Sequence, residues 1–141
     1  MKGKFIVIEG IDNAGKGTQS ALLAEHLRSK GFKVLLTKEP TNGILGGISK
    51  AALNKELTLS NKALQLLFCA DRAHHLDTEI EPAMQDGFIV LCDRYFFSML
   101  PKSCRPSTCF TDLDKEVFGS KSRYIPRSGF LKLILTERSH L

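Results

Sequence analysis

Apolar and polar positions in the N-terminal part of the chain switch between two periods. Phe5, Ile6, Val7 and Ile8 form an unbroken, β-branched-rich run, the pattern of a strand buried on both faces, and predict β-structure over residues 4–9. A helical stripe follows from near Lys16, with Ala21, Leu22, Ala24 and Leu27 on its apolar side and Gly31 ending it as a C-cap. Val34, Leu35 and Leu36 then predict a second strand over residues 33–38, closed by Glu39-Pro40, because proline ends a strand and holds the residue before it extended. Strand, helix and parallel strand make a βαβ unit, whose ligands bind at the carboxyl ends of the strands.

The Gly-, Thr- and Asn-rich stretch from Thr41 to Gly47 predicts a loop, and Ile44–Leu53 overlaps it as a short helix. Ser60 is placed as the N-cap of a long helix reaching about Glu81, with Ala63, Leu64, Leu67, Phe68, Ala70 and Ala73 on its apolar side and Pro82 as its end. After the turn at Gln85-Asp86-Gly87, residues 88–93 predict a third strand that runs into Asp93-Arg94-Tyr95. Beyond Ser98 the pattern breaks down. Met99–Ser107 carries two prolines and no stripe, residues 119–129 are polar and basic, and only Phe130–Thr136 predicts another strand.

The first strand and helix are joined by chemistry as well as by pattern. Gly10, four intervening residues, and then Gly15-Lys16 have the spacing of a phosphate cradle. Glycines permit torsions that turn successive N–H groups around an anion, the helix adds the positive end of its dipole, and Lys16 reaches the outer phosphates. The residue after the lysine is Gly17 rather than a hydroxyl residue, with Thr18 one place later, so direct hydroxyl ligation of Mg²⁺ is lost there. Magnesium held through a carboxylate and water does not need that hydroxyl. An apolar strand ending in Asp93 supplies such a carboxylate.

Length and composition fit one soluble domain of 141 residues. No apolar run approaches the roughly 20 residues of a membrane span, and Met-Lys-Gly-Lys before the first strand leaves no room for a cleavable signal, so a cytoplasmic protein without membrane contact is expected. Cys69, Cys92, Cys104 and Cys109 form no C-x-x-C pair and are expected as free thiols, with Cys69 and Cys92 in the core. The net charge of +5 does not spread evenly: residues 1–98 hold 12 basic against 11 acidic side chains, and residues 99–141 hold 8 against 4. The cradle-bearing part is thus nearly neutral and no nucleic-acid partner is expected.

The cradle, Glu39-Pro40, the Phe68 helix and Asp93-Arg94-Tyr95 together make residues 1–98 closely resemble the thymidylate kinase family. The resemblance implies a three-layer α/β core of the P-loop type with a mainly parallel sheet, here expected to be C-terminally incomplete. Residues 1–98 would form the kinase core and residues 99–141 a divergent basic segment of the same domain. It implies transfer of the γ-phosphoryl of ATP to dTMP, giving dTDP for dTTP biosynthesis, with Mg²⁺ required and a homodimer usual. By the same resemblance Gly10, Asp12, Asn13, Ala14, Gly15, Lys16, Gly17 and Thr18 hold the ATP phosphates. Lys16, Asp93 and Arg94 are catalytic, and Asp93 organises the metal. Asp12, Glu39, Pro40, Phe68, Arg72, Arg94 and Ser98 form the acceptor site, Phe68 stacking on thymine and Arg72 contacting the base. Alone, Phe68 reads as core packing and Arg72 as a solvated charge; their i, i+4 spacing does put both on one helix face.

Three departures from the family pattern leave alternatives open. Gly17-Thr18 is similar to adenylate kinases, which raises a nucleoside monophosphate kinase of another base preference. Asn13 stands where one subgroup carries a catalytic arginine. The family's later motifs and its lid are not recognisable beyond Ser98, although Arg123 and Arg127 offer cations. The change of character suggests a truncated or altered C-terminus, such as a reading-frame shift would produce, and a binding remnant without transfer is the competing expectation.

Overall fold

The computed structural model describes residues 3–10, 13–95, 122–125 and 131–136. Its elements are β1 (Lys4–Gly10), α1 (Lys16–Ser29), β2 (Val34–Lys38), α2 (Ile44–Leu53), α3 (Asn61–His75), a π-helical turn (Leu76–Ile80), α4 (Glu81–Gln85), β3 (Ile89–Asp93), β4 (Ser122–Ile125) and β5 (Leu131–Thr136). They build one mixed sheet in the order β2-β3-β1-β5-β4. The strand predicted between Phe88 and Asp93 inserts between the two strands of the expected βαβ unit and pairs in parallel with both.

The register of these parallel pairs decides where function can sit. Ile8 pairs with Asp93, and Lys38 pairs with Asp93 from the other side. The three carboxyl ends therefore finish in one row, from which the glycine loop, Glu39-Pro40 and Arg94-Tyr95 all emerge. This is the edge at which open α/β sheets bind their ligands.

Central burial explains the unbroken apolar runs. On one face Phe5, Val7, Val90, Cys92 and Tyr95 pack with Leu76 and Ile80 of the π-helical turn. On the other face Leu91 and Val34 pack with Ala24, flanked by Ile6, Ile89, Leu23 and Leu27. Helical layers on both faces give the three-layer core.

The stripe of α1 is rotated from its sequence expectation. Lys16, Ser20 and Ala24 are buried while Ala21 and Leu22 face outward, Leu22 with 54% of its surface exposed. Small residues at 20 and 24 let the helix approach the sheet closely, which outweighs the larger apolar side chain at 22.

Ser60 does cap α3, its hydroxyl accepting from the Ala63 N–H at 3.2 Å. Pro82 does not end the helical run. It occupies the first turn of α4, directly after the π-helical turn. Proline has no N–H for the preceding turn and needs room for its ring, and a wider turn ahead of it accommodates both. On α3 the buried face comprises Phe68, Asp71, Arg72 and His75, whereas Ala70 is exposed.

The strand predicted over Phe130–Thr136 is β5, lying antiparallel on the free edge of β1. β4 pairs in turn with β5 and was not predicted, because pairing through the main chain leaves no periodic signature in so short a strand. The sheet thus has five strands where the sequence predicts four, and the edge of β1 is covered. Among the described residues Cys69 and Cys92 are free thiols, Cys92 buried and Cys69 only half-buried. Cys104 and Cys109 lie outside the described residues.

Candidate active site

β1 delivers Gly10 to the row of strand ends, and α1 starts six residues later at Lys16. Asn13 and Gly15 adopt left-handed torsions, with φ of 63° and 73°. Those torsions reverse the chain tightly enough for α1 to begin over the sheet. Gly15 is the N-cap and brings no side chain to the helix start, a backbone arrangement suited to an anion at the first turn of α1. Lys16 folds back across the loop: its Nζ donates to the Gly10 carbonyl at 2.9 Å, and its residue is only 5% exposed. The ammonium is held over the cradle by the strand that forms its floor.

Asp93 faces this helix start. A Cβ built on Gly17 would stand 3.3 Å from Asp93 Oδ2, so the residue at 17 and the carboxylate are direct neighbours. Asp93 Oδ1 is buried with no hydrogen-bond partner among the described residues. A buried, unsatisfied carboxylate oxygen beside a phosphate cradle is suited to a hard divalent cation or its water, so the residues present fit Mg²⁺. The chain leaving β3 is then clamped to β1. The Arg94 N–H donates to the Ile8 carbonyl at 3.0 Å, and the Tyr95 N–H donates to Glu9 Oε1 at 2.8 Å. Between these contacts Arg94 takes φ of 66°, a strained backbone at the end of the strand row.

The second half of the site is a buried polar cluster. Glu39, 2% exposed, accepts from Arg72 Nε through Oε2 and meets His75 Nδ1 through Oε1, each at 3.1 Å. Arg72 also donates from Nη2 to the Tyr95 carbonyl at 2.7 Å and lies 4.8 Å from the Tyr95 ring centroid. His75 Nε2 lies 2.8 Å from Thr37 Oγ1 and 3.2 Å from Glu79 Oε2. The Glu39-Pro40 peptide is cis, and Glu39 N–H donates to the Asp93 carbonyl at 3.2 Å. Just beyond it, Asp71 accepts from the Thr41 N–H at 2.8 Å and from its hydroxyl. Gly46 passes so close that a Cβ there would sit 2.1 Å from the Thr41 carbonyl oxygen, which fixes the loop against α2.

Glu39, His75 and Cys92 bring potential metal ligands within 4.8 Å of one another. The trio is ill suited to a cation: both Glu39 oxygens are engaged, one by a guanidinium. Burial, then Glu39 and Glu9, push the Cys92 thiol well above its usual range, so it stays protonated, and its Sγ donates to the Arg94 carbonyl at 3.0 Å.

The fold thus brings Gly10, Asn13, Ala14, Gly15, Lys16, Gly17 and Thr18 to one end of the strand row, opposite Asp93 and Arg94. It gathers Glu39, Pro40 and Arg72 at the neighbouring position. Phe68 is buried one helical turn before Arg72, 5% exposed, outside both apolar clusters. Asp12 and Ser98 lie outside the described residues. A cavity of about 640 Å³ runs from Gly17 and Asp93 past Lys38 and Thr41 to His75 and Glu79. Of the expected site residues that are described, Gly17 and Asp93 line it. Glu9, Thr37, Thr41, Asp71 and His75 were missed. Asp71 and His75 had a signal: they fall three and seven residues after Phe68, polar positions on an otherwise buried helix face.

A family model described as thymidylate kinase matches residues 8–122. The chain is 50% identical over 105 residues to the probable thymidylate kinase of Pyrococcus horikoshii, covering 71% of this chain and 51% of that protein. It is 46% identical over 99 residues to the thymidylate kinase of Clavibacter sepedonicus, covering 70% and 47%. Among solved structures, thymidylate kinase from Ehrlichia chaffeensis superposes with a TM-score of 0.72 at 32% identity, over 86% of this chain and 68% of that one. The Candida albicans enzyme gives a TM-score of 0.61 at 35% identity, over 70% and 42%. The chain spans about half the length of the curated relatives it matches.

Proposed function

The chain belongs to the thymidylate kinase family, and from that premise we propose that it transfers the γ-phosphoryl group of ATP to the phosphate of dTMP, releasing ADP and dTDP. The observation that carries this reading is the facing pair of cradle and carboxylate: Lys16 strapped over the glycine loop, and Asp93, whose Oδ2 faces Gly17 and whose Oδ1 is buried without a partner among the described residues. Phosphoryl transfer asks a protein mainly for positioning and for charge stabilisation, and the strand-end row supplies both. The loop N–H groups and Lys16 hold the donor phosphates and neutralise charge on the transferred group. Arg94 grips the acceptor phosphate, where a guanidinium fork suits two oxygens. Asp12 takes the sugar hydroxyl, Glu39-Pro40 and Ser98 shape the acceptor pocket, Phe68 stacks on the base and Arg72 contacts its edge. Asp93 is the residue that would hold Mg²⁺, which when bound spreads the charge developing between the β- and γ-phosphates.

This reading places the protein in the cytoplasm; no helix among the described residues is long and apolar enough to cross a membrane. It also includes a homodimer, to which the outward apolar residues Ile44 on α2 and Leu66 on α3, 82% and 62% exposed, would contribute surface. Sedimentation at micromolar concentration measures that state directly.

Asn13 brings no cation to the loop, and this favours one second reading, nucleotide binding without transfer. Base preference is tested by comparing dTMP, dUMP, AMP and CMP as acceptors: dTMP is expected to give the highest kcat/KM, and AMP in its place would overturn the assignment. Phe68→Leu keeps an apolar side chain in a buried position while removing the aromatic face. Since stacking on a base is worth about 1–3 kcal/mol, the variant should weaken dTMP binding about tenfold and leave ATP binding unchanged. Calorimetry reads both ligands, and an equal loss for the two would remove Phe68 from the base site.

A further inference from the structure

Glu79, His75 and Glu39 link the rim of the cavity to Arg72, and of these three the proposed chemistry uses only Glu39. Glu79, whose side chain is 46% exposed, meets His75 Nε2; His75 Nδ1 meets Glu39 Oε1; Glu39 Oε2 accepts from Arg72 Nε. His75 itself is 1% exposed in its side chain. Both of its ring nitrogens are engaged, one by Glu39 and the other by Thr37 and Glu79. A histidine with both nitrogens so occupied does not receive a substrate proton.

Its effect is on Glu39. A glutamate has three side-chain torsions, and a single contact to Arg72 would leave its carboxylate free to turn. With one oxygen fixed by His75 and the other by Arg72, the carboxylate plane is set and the Arg72 fork is set with it. The Tyr95 carbonyl, 2.7 Å from Arg72 Nη2, completes the frame. Buried networks of this kind are worth more as a unit than as separate bonds, because each member restricts the geometry of the next.

We infer that His75 is a positioning residue of the acceptor site, which acts through Glu39 to fix the guanidinium of Arg72 against the nucleotide base. The inference rests on the reading of Arg72 as a base contact, and the two stand or fall on different variants. Thr37 and Glu79 belong to the same device, since they orient the far side of the imidazole ring.

The test measures dTMP and ATP affinity by calorimetry on the full chain. His75→Leu should raise the dTMP dissociation constant about tenfold with that of ATP unchanged. His75→Asn, whose amide reaches the position of Nδ1 and keeps a donor for Glu39, should restore most of the loss. Arg72→Lys keeps the charge beside Glu39 and removes the fork. In that background His75→Leu should have little further effect, because the group it positions has gone. Fully additive losses in the double variant, or an unaltered dTMP affinity in His75→Leu, would overturn the positioning role. Unaltered dTMP affinity in Arg72→Lys alone would overturn the base-contact reading instead. If His75→Leu does not fold, the order of two polar variants decides: His75→Gln, which matches Nε2 and leaves Glu39 without its donor, must bind dTMP more weakly than His75→Asn, and the reverse order contradicts the inference.

Discussion

Lys16→Ala lowers dTMP-dependent turnover at least about a hundredfold, the scale on which removing one preorganised charge-stabilising donor acts. The fold survives the change. Lys16 lies at the first position of α1, where alanine is a good helix former, and the bond from Nζ to the Gly10 carbonyl, as a hydrogen bond of a charged group, contributes about 1.5–3 kcal/mol. The measurement pairs steady-state kinetics with thermal melting. Collapse of turnover with a cooperative melt retained assigns the loss to the site, whereas near-normal turnover would take the cradle out of the mechanism.

Glu39→Leu should produce the largest loss of stability of any substitution in the acceptor site. Glu39 neutralises Arg72 in a place where the two side chains are 1% and 4% exposed, and it is the Nδ1 partner of His75. Removing one member of a buried ion pair leaves the other charge without compensation, at a cost of about 3–5 kcal/mol. In a domain of this size that corresponds to a fall in Tm of roughly 10 °C or more. Glu39→Gln, which retains an acceptor oxygen but no charge, should fall between the two. Melting both variants checks the order, and a Leu variant as stable as the parent would mean that Arg72 is not held as described.

How much of this was legible in the sequence follows from which interactions leave a local trace. The parallel strands were legible because burial on both faces demands unbroken runs such as Phe5–Ile8. The cradle was legible because phosphate geometry demands Gly10, Gly15 and Lys16 at one spacing. The Ser60 cap was legible from a local hydrogen bond.

The polar cluster was not, because it is assembled across long separations in the chain. Glu39 and Arg72 are 33 residues apart, and Glu9 and Tyr95 are 86 apart. Asp71 and His75 were passed over because a period-based reading assigns polar residues to the solvent face, whereas here they are buried and paired. Pro82 misled for a related reason: its effect depends on the turn before it, and a π-helical turn is not visible in residue periodicity. β4 was missed because an edge strand held by main-chain pairing to β5 needs no apolar alternation.

The proposed role of the cradle and Asp93 is transfer to dTMP. Its most direct test is a coupled ADP-release assay on the purified chain with ATP and Mg²⁺, with and without dTMP. The account predicts ADP release that depends on dTMP and disappears in Lys16→Ala. Release that is the same with and without dTMP, or no release while calorimetry still shows both nucleotides bound, would contradict it and leave a nucleotide-binding protein that does not transfer.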